Sequence, residues 1–407
     1  MNQQSNRILN AVVIVAALGY FVDIYDLLLF SIVRVPSLQS LGVEGDALKE
    51  VGLHLIDMQM FGMLLGGILW GVLGDKRGRL SVLFGSIFLY SIANIANGMV
   101  QSVEAYAAWR FIAGIGLAGE LGAGITLVAE ILPKEKRGLG TMVVAVVGLT
   151  GAIFAGLLAK IFDWRTCYFI GGGLGLALLA LRVGVAESGM FKQTQQQEIS
   201  RGNFFALFTN RSRFIRYMRC VFIGFPTWFV IGILVTFSPE FAKAMGVEGT
   251  INAGTAVMFA YGGLVAGDLV SGLLSQLLRS RIKVMYIFLA LSAVCVFTFL
   301  NAGAVSPDTI YVLCGTLGFS VGFWVIFVTI AAEQFGTNLR ATVTTTVPNF
   351  ARGALVFITM LFRWAEGYFG TLQGAMLVGA FCIAISFLFL KGMKETFDED
   401  LNYVEQV

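Results

Sequence analysis

Runs of about 20 mostly apolar residues recur along the whole 407-residue chain, each long enough to cross bilayer hydrocarbon as an α-helix. Hydrocarbon offers the backbone no hydrogen-bond partner, so a crossing segment must pair its own groups as a helix or close into a barrel. The runs are continuous, without alternation of apolar and polar positions, which selects helices. Only 13% of the residues are charged while 57% are apolar, against about 25% charged in a soluble domain. Water is not the main solvent of this fold.

Charged residues and Gly, Pro or Asn breaks divide the chain into helices near 9–35, 51–73, 80–100, 103–131, 138–161, 166–186, 214–238, 252–277, 283–303, 309–333, 341–363 and 372–391. With an even number of crossings, both ends share one side. Counting Lys and Arg in the connecting segments puts 20 on that side and 6 on the other. The bias predicts both termini in the cytoplasm. The formal charge of +3 is spread over short loops, so it reads as a topology signal and not as a nucleic-acid footprint. The five cysteines lie in or beside apolar segments without CxxC spacing, which indicates neither a disulfide framework nor a metal site. No cofactor motif stands out; Gly-rich runs such as Gly171-Gly-Gly173 fall inside spans, where they serve close helix packing. The first run contains Asp23 and Asp26 and reads as a retained helix.

An internal repeat divides the chain in two. Glu130 precedes Arg137 by seven positions, and Glu333 precedes Arg340 by the same interval, 203 residues further on. Gly62 and Gly67 recur as Gly262 and Gly267, and Glu187-Ser188 is echoed by Glu395-Thr396. Duplicated halves of this kind are typical of alternating-access transporters. The expected fold class is an all-α membrane protein of 12 transmembrane helices in two pseudo-symmetric six-helix bundles. The bundles are expected at 1–190 and 214–407, with a polar cytoplasmic linker at 191–213.

The stretch Gly71-Val-Leu-Gly-Asp75-Lys76-Arg77-Gly78-Arg79 follows the second helix and resembles the major facilitator signature G-x-L-x-D-[RK]-x-G-R. Small residues permit close helix approach, and Asp75 is placed to bond the start of a neighbouring helix. The second copy, Gly272 to Arg281, has Gln276 in place of the Asp. Gly19-Tyr-Phe-Val-Asp23-Ile-Tyr-Asp26, Arg110-Phe-Ile-Ala-Gly114 through Glu120, and Ala129-Glu130 through Arg137 are similar to stretches of the bacterial metabolite, sugar and organic-acid proton symporters of that superfamily. The resemblance implies a major facilitator fold and gating roles for Gly71, Asp75, Arg79, Glu130, Arg137, Glu333 and Arg340.

Ionisable side chains inside the bilayer cost about 2.5–3.5 kcal/mol each on insertion scales, so they mark functional candidates. Asp23 and Asp26, three apart, share a helical face, and paired carboxylates suit proton exchange. Arg110 lies at a depth compatible with Asp26, and the resemblance implies that this Asp and Arg form the coupling pair. Glu120 is a second protonation site or a substrate contact. Asp268 and Arg352 are the isolated charges of the second half. Arg352 suits a carboxylate substrate through its planar fork, although a neighbouring Asp268 would neutralise it. Tyr20, Asp23, Arg110, Glu120, Trp228, Asp268, Trp324, Asn349 and Arg352 are the expected substrate contacts. Each has a structural alternative: Asp23 as a helix-packing hydrogen-bonder, the tryptophans as ordinary core.

These readings converge on a monomeric secondary transporter, a proton-coupled symporter of a small organic anion. Alternatives within transport are a sugar or zwitterion substrate, and uniport or exchange. A membrane enzyme would need a nucleophile with its base or a cluster of ligands, and one histidine with no His/Cys/Asp cluster argues against that.

Overall fold

The protein is described from a computed structural model covering residues 11–45, 47–132, 134–182, 202–397 and 403–405. Twelve helices have the length and hydropathy of membrane spans: α1 (Val12–Ser40), α2 (Ala47–Arg77), α3 (Leu80–Asn97), α4 (Val103–Val128), α5 (Leu139–Leu158), α6 (Trp164–Leu181), α7 (Arg211–Val235), α8 (Ala253–Leu278), α9 (Arg281–Leu300), α10 (Pro307–Glu333), α11 (Arg340–Phe369) and α12 (Thr371–Leu390). No strand occurs among the described residues. Side chains pointing outward along the spans are large and apolar, as at Phe61, Leu65 and Leu69 one turn apart on α2. A surface of that kind fits hydrocarbon and not water.

The spans divide by burial. In α1, α4, α7, α10 and α11, 72–83% of the apolar window is buried, against 39–50% in the other seven. The five deep spans therefore build the centre. Two of them are interrupted there: α4 is helical over Val103–Leu117 and resumes at Glu120, and α10 is helical over Pro307–Ser320 and resumes at Trp324. Ala118 and Val321, the first residues of the two breaks, are 203 positions apart, the same offset as Glu130 and Glu333. α11 carries Pro348 inside the helix. Proline removes one backbone N–H, and Asn349 Nδ2 donates to the Thr345 carbonyl at 2.7 Å on the same turns.

The duplication is also visible in helix packing, one residue out of the register that the sequence match suggests. A Cβ on Gly62 or Gly66 of α2 would strike the Phe111 or Ile115 carbonyl of α4. The equivalent contacts in the second half are Gly263 against the Gly315 carbonyl and Gly267 against that of Phe319. Gly62 thus corresponds to Gly263 and not to Gly262, whose Cβ would meet nothing within 4 Å. Backbone touching backbone at a glycine is how spans associate where no hydrophobic drive exists.

The segment expected to be a linker is partly structure. Residues 191–201 lie outside the described residues, but Phe204 and Leu207 are buried. Asn210 Oδ1 then accepts from the N–H groups of Ser212 and Arg213, capping α7, which starts at Arg211. Beyond α12, the Glu395 carboxylate accepts from the Ser280 hydroxyl and from the N–H groups of Arg281 (2.8 Å) and Ile282 (3.3 Å) at the start of α9. Burial opposes its ionisation, and these hydrogen bonds outweigh burial, leaving the carboxyl below its usual range. The equivalent Glu187-Ser188 lies outside the described residues.

α1 begins on the face where residues 403–405 dock, Thr337 N–H donating to the Tyr403 carbonyl at 2.9 Å. This face carries most of the cations and is called the basic face below. The halves meet across it. Asp75 of α2 accepts from the N–H groups of Ala341 (3.2 Å) and Thr342 (2.8 Å) and from the Thr342 hydroxyl (2.6 Å), at the first turn of α11. Thr126 and Thr344 share a 2.6 Å hydrogen bond, and Glu130 lies 3.8 Å from Arg340. The opposite face is closed by ion pairs: Arg34–Glu240 (2.8 Å), Lys49–Glu366 (2.6 Å) and Glu50–Arg363 (3.5 Å). Contacts between the halves therefore close the molecule at both ends.

Gly62→Leu is expected to cost about 1–3 kcal/mol through overpacking, read as a lower unfolding midpoint in detergent. Gly262→Leu, with open space at its Cβ, should leave the midpoint unchanged.

Candidate functional site

Arg352 of α11 is the centre of the buried polar groups. Its guanidinium lies 5.6 Å from the Trp228 ring centroid and 5.5 Å from that of Trp324, and the two indoles meet edge to face at 77°. Trp228 follows Pro226 in α7, just before a π-helical turn at Val230–Val235. Trp324 opens the second segment of α10. Both rings owe their position to a deep, interrupted or distorted span. Arg352 Nη1 donates to Asn349 Oδ1 at 3.3 Å, while Asn349 Nδ2 reaches across to the Ala118 carbonyl at 2.7 Å, at the break in α4. Asn349 thereby ties the guanidinium to the other half.

The carboxylate facing Arg352 is Asp23 of α1, with Oδ2 at 4.0 Å from Nη2. That is ion-pair range but beyond hydrogen-bond length. Both Asp23 oxygens, Arg352 Nη2, the Trp228 indole N–H and the Tyr20 hydroxyl are buried without a hydrogen-bond partner. Tyr20 and Tyr261 stand beside the pair. Buried polar atoms are paired in more than nine cases in ten, so a cluster of unpaired ones converging on a point between two halves has the character of a ligand site. A small void beside Trp228 is bordered by Leu27, Ser31, Gln59, Thr236 and Leu355.

Three expected partnerships are redrawn. Asp268 does not neutralise Arg352: its Oδ1 accepts the Val325 N–H at 3.2 Å. The break in α10 exposes N–H groups at the start of its second segment, and a carboxylate there answers both the hydrogen-bonding need and the helix dipole. Arg110 is not in ion-pair range of Asp26. Its Nη2 donates to Gln59 Oε1 and its Nη1 to the Tyr168 hydroxyl at 3.4 Å, with the Phe30 ring 4.7 Å away. Depth matched, but Arg110 points to the α2 and α6 side. Asp26 packs instead against Gly171 of α6, where a Cβ would overlap Oδ1, with Asn94 of α3 beside it. Glu120, the third, is taken by Arg182 at the end of α6 through Nη1 (3.1 Å) and Nη2, both residues being 1% exposed.

Arg182, counted with the inner-side cations although the expected sixth helix runs to 186, follows directly on the end of α6 at Leu181. Its buried partner showed only in three dimensions. Gln59, Tyr168, Asn94 and Tyr261 were missed; a polar side chain interrupting an apolar run was the available signal for Gln59 and Asn94. At the basic face, Glu333 accepts from Arg281 at 3.3 Å. The side chains of Arg79 and Arg137 lie outside the described residues. Among the described residues, no group of three His, Cys, Asp or Glu is arranged to hold a metal.

Residues 16–360 match the family model of the Major Facilitator Superfamily, and the chain belongs to that superfamily. It is 28% identical over 397 residues to the cis,cis-muconate transport protein of Acinetobacter baylyi, covering 92% of this chain and 93% of the relative. The benzoate transport protein of the same organism is 22% identical, over 81% of this chain and 78% of its own. Among solved structures, the proton:xylose symporter XylE bound to 6-bromo-6-deoxy-D-glucose superposes with a TM-score of 0.74 at 16% identity, covering 96% and 97% of the two chains. The fold is shared. This protein is a multi-pass membrane protein of that fold.

Breaking a buried ion pair from one side costs about 3–5 kcal/mol. Glu120→Gln is therefore expected to lower detergent stability by that order, and Glu120→Gln/Arg182→Gln to recover most of it. Additive losses in the double variant would show that the two side chains do not act as a pair.

Proposed function

We propose that the protein is a proton-coupled symporter of a small organic carboxylate, working by alternating access between the two closed faces. The observation that carries this reading is Arg352, set beside two indole rings and facing Asp23 from the other half at 4.0 Å. A permanently charged planar fork with unpaired N–H groups is suited to a carboxylate, and the indole faces suit an unsaturated body attached to it. Relatives named for cis,cis-muconate and benzoate support this substrate class.

Coupling follows from competition. While Asp23 is ionised it occupies the charge of Arg352; protonating Asp23 removes that interaction, and the substrate carboxylate takes its place. Either event alone leaves one buried charge uncompensated, so proton and anion are favoured together. Asp26, without a hydrogen-bond partner beside Asn94, is assigned as a second proton carrier, and Arg110 with Gln59 and Tyr168 as the polar frame around it. Tyr20, Trp228, Trp324 and Asn349 line or orient the substrate site; Asp268 and Glu120 hold broken helices and act on the substrate only through them.

Gating is assigned to the two closures. On the basic face, Asp75 with Thr342, Glu130 with Arg340, and Gly71 against Thr342 open to release substrate. On the opposite face, Arg34–Glu240 and Lys49–Glu366 separate to admit it. Leaving out the buried Arg34, Arg182 and Arg340, the basic residues of the connecting segments still divide 18 against 5. That bias supports a cytoplasmic basic face of an inner membrane.

In proteoliposomes with an imposed pH gradient, Asp23→Asn is expected to abolish gradient-driven accumulation of benzoate while sparing counterflow exchange. Unchanged accumulation would remove Asp23 from coupling. Arg352→Gln is expected to lower affinity at least about tenfold for carboxylates, the scale of one lost charge-assisted hydrogen bond. Equal losses for a panel of sugars and betaines would defeat the anion reading.

A further inference from the structure

On the basic face, away from the central site, the ends of α7, α10 and α12 enclose a cavity of about 520 Å³. Arg211, Ser212, Arg216 and Arg219 line one wall, with Gln334 and Lys394 opposite, and among the described residues no carboxylate lines it. Glu405 already answers Arg216; Arg211 and Arg219 line the cavity with no acidic partner among the described residues, and an anion placed between them relieves their repulsion. Two of the lining arginines, Arg216 and Arg219, are also held by their neighbours. Arg219 Nη1 donates to the Gly392 carbonyl, and Gln334 Nε2 to the Lys394 carbonyl at 2.9 Å. Arg216 lies over the Phe335 ring at 4.4 Å. Asn210 has already capped the first N–H groups of α7, so the site rests on the side chains and not on the helix end.

The depth of the cavity points to the source of its anion. Phe214, on the first turn of α7, is 37% exposed, and Leu388, one turn before Gly392, is 69% exposed. Large apolar side chains facing outward at that level mark the edge of the hydrocarbon, which puts the arginines at the depth of lipid headgroups. We propose that this cavity binds the phosphate headgroup of an anionic phospholipid, with the acyl chains running down past Phe214 and Leu388.

The site has a built-in competitor. Glu405 binds Arg216 at 2.7 Å and lies 3.7 Å from Arg213. Its backbone is clasped by Asn338, through Nδ2 to the Glu405 carbonyl (3.1 Å) and Oδ1 from the Glu405 N–H (2.9 Å). Asn338 belongs to the loop leading into Arg340 and the Asp75-capped start of α11. A headgroup that draws Arg216 away from Glu405 loosens the strap over that loop.

The test is phospholipid retention by the purified full chain, measured by native mass spectrometry after exchange into phosphatidylglycerol or phosphatidylcholine. Wild type is expected to retain phosphatidylglycerol over phosphatidylcholine. Arg211→Gln/Arg219→Gln should lower that retention by about fivefold per charge removed. Lys283→Gln, a neutralisation elsewhere on the same face, should leave it unchanged, and Glu405→Gln should raise it. Equal retention by wild type and the double variant, or no preference between the lipids, overturns the proposal. Inorganic phosphate forms a separate arm: arginine-dependent phosphate binding without phosphatidylglycerol retention would assign the cavity to a soluble phosphate and overturn the lipid assignment. Arg219→Gln alone gives the same readout if the double variant does not survive purification.

Discussion

The structure turns on one unequal contact, an aspartate of α1 and an arginine of α11 facing each other across the two halves without a hydrogen bond between them. Each charge is costly in a low-dielectric interior, and each is tolerated because the other is there. A pair at 4.0 Å is close enough to compensate the charges and too long to satisfy their hydrogen-bonding groups. Both partners are therefore open to exchange: the carboxylate for a proton, the guanidinium for another carboxylate. A tight bidentate pair such as Glu120–Arg182 has no such freedom. The protein contains both kinds, one placed within a half as a brace, the other placed between halves, where the proposed cycle requires movement.

The two closures differ in chemistry, and the difference has consequences. The basic face is closed by a helix start docked onto a carboxylate, with N–H groups and a hydroxyl all converging on Asp75. These groups are buried and little affected by salt. The opposite face is closed by ion pairs whose carboxylates are about a fifth exposed or more, so they are weaker and screened by ions. In the proposed alternating-access cycle, that inequality sets the balance between outward and inward opening. Cohesion within each half is of a third kind, backbone against backbone at Gly62, Gly66, Gly263 and Gly267.

The twelve spans and their repeat were legible because hydrocarbon imposes a length and a composition on every crossing. Asp75 was legible as a helix-start acceptor because a carboxylate beside small residues at a span end has few other uses. Arg352, Trp228 and Trp324 stood out by depth. What depth alone does not carry is direction around the helix. Asp26 and Arg110 lie at matching levels yet face different neighbours. Asp268 lies near Arg352 but is claimed by N–H groups that exist only because α10 breaks at Val321, and no residue pattern announced that break. Arg182 was counted only for its charge at a span end; its pairing with Glu120 depends on packing between helices that the sequence does not display.

Tryptophan fluorescence reports on the central contact most directly, since Trp228 and Trp324 flank the guanidinium. Titrating the purified protein with benzoate should quench the emission saturably, and more strongly as pH falls and Asp23 gains its proton. Benzamide, the uncharged counterpart, should leave it unchanged, and so should benzoate added to an Asp23→Asn/Arg352→Gln variant. Equal quenching by benzoate and benzamide, or quenching that persists in that variant, would contradict an account built on an exchangeable charge between the halves.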